Sequence, residues 1–255
     1  MSRFENLPPR SFVPFWMLGD PNLSKSLEFI EILVENGADA LELGIPFSDP
    51  IADGPVIQRA AMRALAAHAN LEACFKLLAQ IRSKHPSIPM SLLTYANLAI
   101  CKGENWFYGQ CAKAGVDAVL LADVPTLEAE FFCQAAIQHG IDPVLIASPN
   151  VSDTQIQAIA RLSKGYVYGV TRSGVTGANE RLNLTSKRLI EKLKKAGAPP
   201  MLLGFGISKP EHVKQALLEG AAGAISGSAV VSWALEKPGE LPAFIRAMKA
   251  ATGSF

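Results

Sequence analysis

Charge is what this sequence has least of. Asp, Glu, Lys and Arg make up 18% of its 255 residues, and 24 basic against 23 acidic side chains leave a formal charge of +1. Such a balance carries no electrostatic footprint for nucleic acid, where a strongly basic domain is expected. Cysteine is scarce too. Cys74, Cys101, Cys111 and Cys133 form no Cys-x-x-Cys, and no His lies three or four residues from any of them, which argues against a zinc site or other metal centre. They read as free, mostly buried thiols in a reducing compartment. Met1 to Arg10 carries Arg3, Glu5 and Arg10 with no apolar run and does not read as a signal peptide. The charge-free stretch Gly220 to Leu235 is too short and too rich in Gly and Ser to span a bilayer. These absences predict a soluble, cytoplasmic chain with neither a membrane nor a nucleic acid as partner.

What is abundant is apolar: 49% of the chain is Ala, Val, Ile, Leu, Met, Phe, Trp, Tyr or Cys, a composition that suits a parallel sheet covered on both faces. A short pattern recurs along it. Gly37-Ala-Asp-Ala-Leu-Glu-Leu-Gly44, Gly115-Val-Asp-Ala-Val-Leu-Leu-Ala122, Gly140-Ile-Asp-Pro-Val-Leu-Ile-Ala147 and Gly220-Ala-Ala-Gly-Ala-Ile-Ser-Gly227 each follow a helix-like segment. The glycine then ends a helix in left-handed conformation, and the run after it is a buried strand. Completing the count predicts strands near 12–18, 38–44, 88–94, 117–122, 142–147, 165–170, 200–204 and 223–226. Helices are predicted at 24–36, 56–68, 70–84, 104–114, 126–139, 153–163, 185–196, 209–219 and 240–251. Eight strands, each followed by helix, match an α/β fold of the (β/α)8 TIM-barrel type, one domain over residues 1–255. An open doubly wound sheet commonly has a Gly-rich first turn, and Leu18-Gly-Asp-Pro21 has one glycine only.

Two connections are long for a barrel, Ile45 to Pro55 after the second strand and Thr171 to Leu184 after the sixth. Both follow strand C-termini, the face where barrel enzymes keep their active sites. Strand alternation puts Ala40, Glu42 and Gly44 on one face and Leu41, Leu43 and Ile45 on the other. With the leucines against the helices, Glu42 points into the barrel, where desolvation raises its pKa toward neutrality and suits it to take and give protons. The alternative is a buried ion pair, although no other strand offers an obvious Arg or Lys. Asp53 stands in a loop stiffened by Pro46, Pro50 and Pro55. It is either a turn or capping residue, or a second carboxylate held over the same mouth. Gly204-Phe-Gly206 and Gly227-Ser228 close the last two strands. Backbone N–H groups there could hold a phosphate without any Lys; otherwise they are tight turns. Arg172 to Asn179 is polar and Gly-rich, a mobile lid or a plain surface loop. Tyr168 on the sixth strand is a polar contact or core filler. The four histidines, His68, His85, His139 and His212, fall on helices or at their ends and are expected at the surface.

Several of these stretches together carry a resemblance. Leu41-Glu-Leu-Gly-Ile-Pro-Phe-Ser-Asp-Pro-Ile-Ala-Asp-Gly-Pro55 resembles the signature of the tryptophan synthase alpha chain family. Phe12 to Phe15, Leu92 to Asn97, Ala122 to Pro125, Arg172 to Gly177, Gly204 to Ser208 and Gly223 to Ser228 agree with it in order. The resemblance implies a (β/α)8 lyase that splits indole-3-glycerol phosphate into indole and glyceraldehyde 3-phosphate by retro-aldol chemistry. It places the family's catalytic Glu on Glu42 and its catalytic Asp on Asp53, with Tyr168 assisting near Glu42. Thr176 of the lid would hydrogen-bond Asp53 on closure. Phosphate binding would fall to Gly177, Gly206, Gly227 and Ser228, and the indole slot would be walled by Phe15, Leu93, Leu120 and Ile146. The family works as an α2β2 complex with a pyridoxal-phosphate-carrying beta chain, so no cofactor is expected in this chain. The docking surface would map to Asp49, Pro50, Asn97 and Pro125. The N-terminus looks shorter than the family commonly has, which implies a reduced cap over the barrel bottom. A non-catalytic subunit that only binds a phosphate ligand is the alternative, and another phosphate-using barrel enzyme would typically need a Lys at a strand end.

Overall fold

The computed structural model describes residues 2–170, 181–204 and 206–253, apart from the side chains of 181–185. The strands are β1 (Ser11–Met17), β2 (Leu41–Gly44), β3 (Met90–Thr94), β4 (Ala118–Leu121), β5 (Asp142–Val144), β6 (Ile146–Ala147), β7 (Val167–Val170), β8 (Met201–Gly204) and β9 (Gly223–Ser226). Their order is β5-β4-β3-β2-β1-β9-β8-β7-β6, and every pairing is parallel. β5 and β6 are one run interrupted at Leu145, so the fifth strand of the barrel pairs with β4 by its first half and with β7 by its second. The ring closes through that strand, giving the (β/α)8 barrel that the count implied. The split follows from Pro143, which has no N–H for the ladder, and from the change of partner at Leu145, whose carbonyl accepts the Tyr168 N–H at 3.0 Å.

The helix–Gly–strand units hold. Gly37, Gly115, Gly140 and Gly220 take φ of 109°, 75°, 72° and 97° just beyond α1 (Leu23–Glu35), α5 (Glu104–Lys113), α6 (Glu130–Gln138) and α9 (Pro210–Leu218). The chain continues directly into β2, β4, β5 and β9. The remaining helices are α2 (Pro55–Ala66), α3 (Leu71–Lys84), α4 (Ala96–Ile100), α7 (Asp153–Leu162), α8 (Arg181–Lys195), α10 (Ser228–Glu236) and α11 (Leu241–Ala250). Helix starts are set by side chains where the sequence supplies them: Asn22, Asn70 and the Ser152–Gln155 capping box each bond a first-turn N–H. β2 begins later than predicted because residues 38–40 meet β1 through Asp39, whose carboxylate accepts the Phe12 N–H at 2.8 Å and the Lys249 ammonium at 2.7 Å.

The core has two parts. One lies between barrel and helices, where Leu41, Leu43, Leu92 and Val119 face outward into the larger apolar cluster. The other fills the barrel with Val13, Ala40, Ala118, Leu120, Val144, Tyr166, Leu202 and Ile225. Phe4 belongs to this inner cluster and meets the Tyr166 ring at 5.0 Å. It sits on a single 3-10 turn, Arg3–Asn6, that closes the bottom of the barrel. Asp117, almost fully enclosed, ties that floor down, accepting from Arg3 at 2.8 Å, Arg82 at 2.9 Å and the Met90 N–H at 2.9 Å. The reduced cap expected from the sequence is thus not what the described residues show: Phe4 and the contacts of Asp117 close the floor.

Candidate active site

At the C-terminal ends of the strands a cavity of about 560 Å³ opens, within the range of small-molecule sites. Strand alternation fills its depth. Phe15 from β1, Glu42 from β2, Leu93 from β3, Leu120 from β4, Ile146 from β6 and Tyr168 from β7 all line it. The loop after β2 supplies Ala52, Asp53 and Gly54, and the far rim is Gly206 to Ser208 and Gly227 to Ala229. Among the described lining residues there is no Lys, Arg or His.

Glu42 is 1% exposed. No ion pair among the described residues includes it, so the buried-ion-pair alternative is not what the structure contains. Burial without a cation pushes its carboxyl up to about 8; the Tyr166 hydroxyl, 3.4 Å from Oε1, opposes the rise, and the nearby Asp53 charge adds to it. Tyr166 in turn lies 2.9 Å from the Ser91 hydroxyl. Tyr168, two residues on and within β7, stands in the cavity wall with its ring over Gly204. A Cβ on that glycine would meet the Tyr168 hydroxyl at 2.1 Å.

Asp53 reaches the cavity from a turn closed by its own N–H on the Pro50 carbonyl at 3.1 Å. It does not cap α2, whose N-cap is Gly54. Burial raises its carboxyl, and the hydroxyl of Tyr95 works in the opposite direction. That same hydroxyl accepts the Ala52 N–H at 3.3 Å, and the Tyr95 ring packs on Phe47 at 5.1 Å. Tyr95 thus braces the whole loop.

The rim opposite is built from backbone. Gly206 takes φ +82°, and Gly227 is the N-cap of α10 with no side-chain capping bond, so the uncapped first turn of α10 begins at the cavity rim. A dianion there meets the positive end of the helix dipole and needs no cation. Thr176 and Gly177, with most of the predicted lid, lie outside the described residues. Asp49, Asn97 and Pro125 are exposed and Pro50 half-buried; Asp49 and Pro50 lie on the loop after β2, Asn97 in the first turn of α4 and Pro125 on the loop after β4. Asp123 fastens the loop after β4 to the start of α4, its carboxylate accepting the Ala96 N–H at 2.8 Å.

Two sequence expectations change. Of the four histidines only His68 is fully at the surface; the others are half-buried, and the Nδ1 of His212 accepts the N–H of the cavity residue Ser208 at 3.2 Å. Tyr166 and Ser91 were missed. Both lie on predicted strands, and Tyr166 shares the face of Tyr168, so alternation alone could have found them.

Comparison with known proteins follows this geometry. The family model described as tryptophan synthase alpha chain matches residues 2–252. A tryptophan synthase alpha chain from Vibrio cholerae is 53% identical over 95% of this chain and 93% of its own length. One from Escherichia coli is 52% identical with both chains fully covered. Among solved structures, the alpha subunit from Legionella pneumophila superposes with a TM-score of 0.89 at 30% identity, covering 99% of this chain and 98% of that one. A chain from the tryptophan synthase a2b2 complex of Pyrococcus furiosus does so at 0.84 and 38% identity, covering 95% and 97%.

Proposed function

The chain belongs to the tryptophan synthase alpha chain family, and from that premise we propose that it cleaves indole-3-glycerol phosphate with Glu42 and Asp53 as its working carboxyls. The observation that carries the proposal is the pairing of two carboxyl groups on one apolar cavity, one of them so desolvated that it is held as the acid at neutral pH. Protonated Glu42 gives its proton to indole C3. Asp53 accepts a hydrogen bond from the indole N–H and stabilises the cationic indolenine. Glu42, now a carboxylate, takes the proton of the glycerol hydroxyl beside the breaking bond. The C–C bond then opens to an aldehyde, the electron pair returns to the indole ring, and Glu42 ends protonated as it began. No redox step occurs and no cofactor enters this chemistry.

Phe15, Leu93, Leu120 and Ile146 offer apolar walls to the indole ring. The phosphate would rest on the N–H groups at Gly206, Gly227 and Ser228. Thr176 and Gly177 take their parts in lid and phosphate binding from the family resemblance alone. Tyr168 would bound the space between Glu42 and the lid. In the same reading the chain is one domain that works in the cytoplasm as the alpha half of an α2β2 tryptophan synthase, passing indole to a beta chain that holds pyridoxal phosphate. Exposed Ile51, Ile100 and Leu127 beside Asp49, Pro50, Asn97 and Pro125 support a docking face there.

Purified chain incubated with indole-3-glycerol phosphate should release indole, faster when beta chain is added. Absence of indole under both conditions would leave only the alternative, a phosphate-binding subunit without catalysis.

A further inference from the structure

Inside the barrel, around the reacting carboxyl, three polar groups meet with no cation among them. Glu42 and Ser91 are register partners on β2 and β3, and Tyr166 reaches both from the segment leading into β7, across the barrel. All three are essentially enclosed: Glu42 and Tyr166 are each 1% exposed and Ser91 is 0%. Phe4 holds the Tyr166 ring from beneath. Tyr166 contacts both neighbours, and the side-chain contact that ties Ser91 into the cluster is the one to Tyr166.

We propose that Ser91 is a positioning residue for the Glu42 carboxyl, acting through Tyr166 as a two-hydroxyl relay whose proton count favours the carboxylate. The proposal rests on the acid–base reading of Glu42 above. When Glu42 is ionised, Ser91 donates to Tyr166 and Tyr166 donates to Glu42, so two protons fill two contacts. When Glu42 is protonated, three protons share the same two contacts, so the acid proton must turn toward the cavity and gains no bond within the cluster, which favours the ionised form. The relay therefore limits how far burial can raise the carboxyl, and keeps it able to give its proton up and recover it within one turnover. The other groups facing Glu42 are the Asp53 carboxylate from the loop after β2, which acts in the opposite sense, and the Tyr168 phenol from β7.

The test is a titration of the Glu42 side-chain carbon by 13C NMR in protein labelled at the glutamate δ-carboxyl, the signal being assigned by its loss in Glu42→Gln. Ser91→Ala should move the midpoint upward by about half to one pH unit, the equivalent of one net hydrogen bond, and Tyr166→Phe should move it further. Ser91→Thr, which keeps a hydroxyl, should stay close to the parent. A midpoint unchanged or lowered in Ser91→Ala, or equally shifted in Ser91→Thr, would overturn the relay. If either alanine or threonine variant folds poorly, Tyr166→Phe alone decides, since an unmoved midpoint there also overturns it. The measurement needs no substrate. If the midpoint moves while the alkaline limb of kcat/KM stays in place, the relay stands and the catalytic assignment of Glu42 falls.

Discussion

At the scale of single residues, the proposed role of Glu42 couples the reaction to the stability of the fold. Its carboxyl is near 8 in the folded protein and near 4.5 when unfolded. Between those values the folded chain holds a proton that the unfolded chain has released, so stability from this group is full below about pH 4.5 and is lost as pH rises through the folded value. Glu42→Gln removes that dependence. The variant should be more stable than the parent at pH 8 by roughly 2 kcal/mol or more, with the gap closing toward pH 5. Urea melts at the two pH values check this, and a gap that does not change with pH would show that Glu42 titrates normally. Glu42 was legible because a strand has period two and its outward leucines fix which face is inward. Its contacts with Tyr166 and Ser91 were not, because which inward side chains meet across a barrel depends on strand stagger and closure rather than on local pattern.

At the scale of elements, the loop after β1 and helix α2 form the frame for Asp53. Asp20 is fully buried and receives both arms of the Arg63 guanidinium at 2.7 and 2.8 Å, joining the two. Burial pushes the Asp20 carboxyl up, and the Arg63 hydrogen bonds pull against that. Arg63→Met leaves the carboxylate enclosed without its cation and should cost about 2–4 kcal/mol in a urea melt. Arg63→Lys, lacking the fork, should recover only part of it. A loss within 0.5 kcal/mol, roughly the range of an ordinary surface substitution, would mean the pair does not hold the frame. On the opposite wall, Gly204→Ala puts a Cβ where the Tyr168 ring lies. That displacement should lower turnover about tenfold or more while costing roughly 1–3 kcal/mol of stability; kinetics at parental level would place Tyr168 outside the reaction. The helix–Gly–strand units were readable because the C-terminal glycine is a local requirement. The short helix α4 was not, since five residues are too few to show a helical period, whereas the Gly227-Ser228 turn did mark the start of α10. The break at Leu145 arises from a change of strand partner, which is a property of the closed ring.

At the scale of the molecule, near-neutral charge and an apolar surface patch belong to the same design. In the proposed reading the phosphate rests on backbone N–H groups, and the described cavity lining holds no Lys, Arg or His. Three of the chain's exposed large apolar residues, Ile51, Ile100 and Leu127, follow β2, β3 and β4 at the mouth of the barrel, with Ile51 at 82% and Leu127 at 63% exposure, whereas Met62, Leu65, Phe131, Ile137 and Leu218 lie on α2, α6 and α9. Leu127→Asp should weaken binding of a beta chain at least about tenfold, as for a hot-spot residue, and leave indole release by the isolated chain unchanged. Sedimentation of the mixed subunits reads the first and the indole assay the second; unaltered association would move the docking face elsewhere. The central claim is that Glu42 moves the proton in cleavage of indole-3-glycerol phosphate, and it is tested most directly by the rate of indole release at pH 7.5 from purified parent and Glu42→Gln protein. The account predicts a fall of about a thousandfold or more, as for loss of a general acid–base group, in a protein that remains folded. Release within a few-fold of the parent would contradict it.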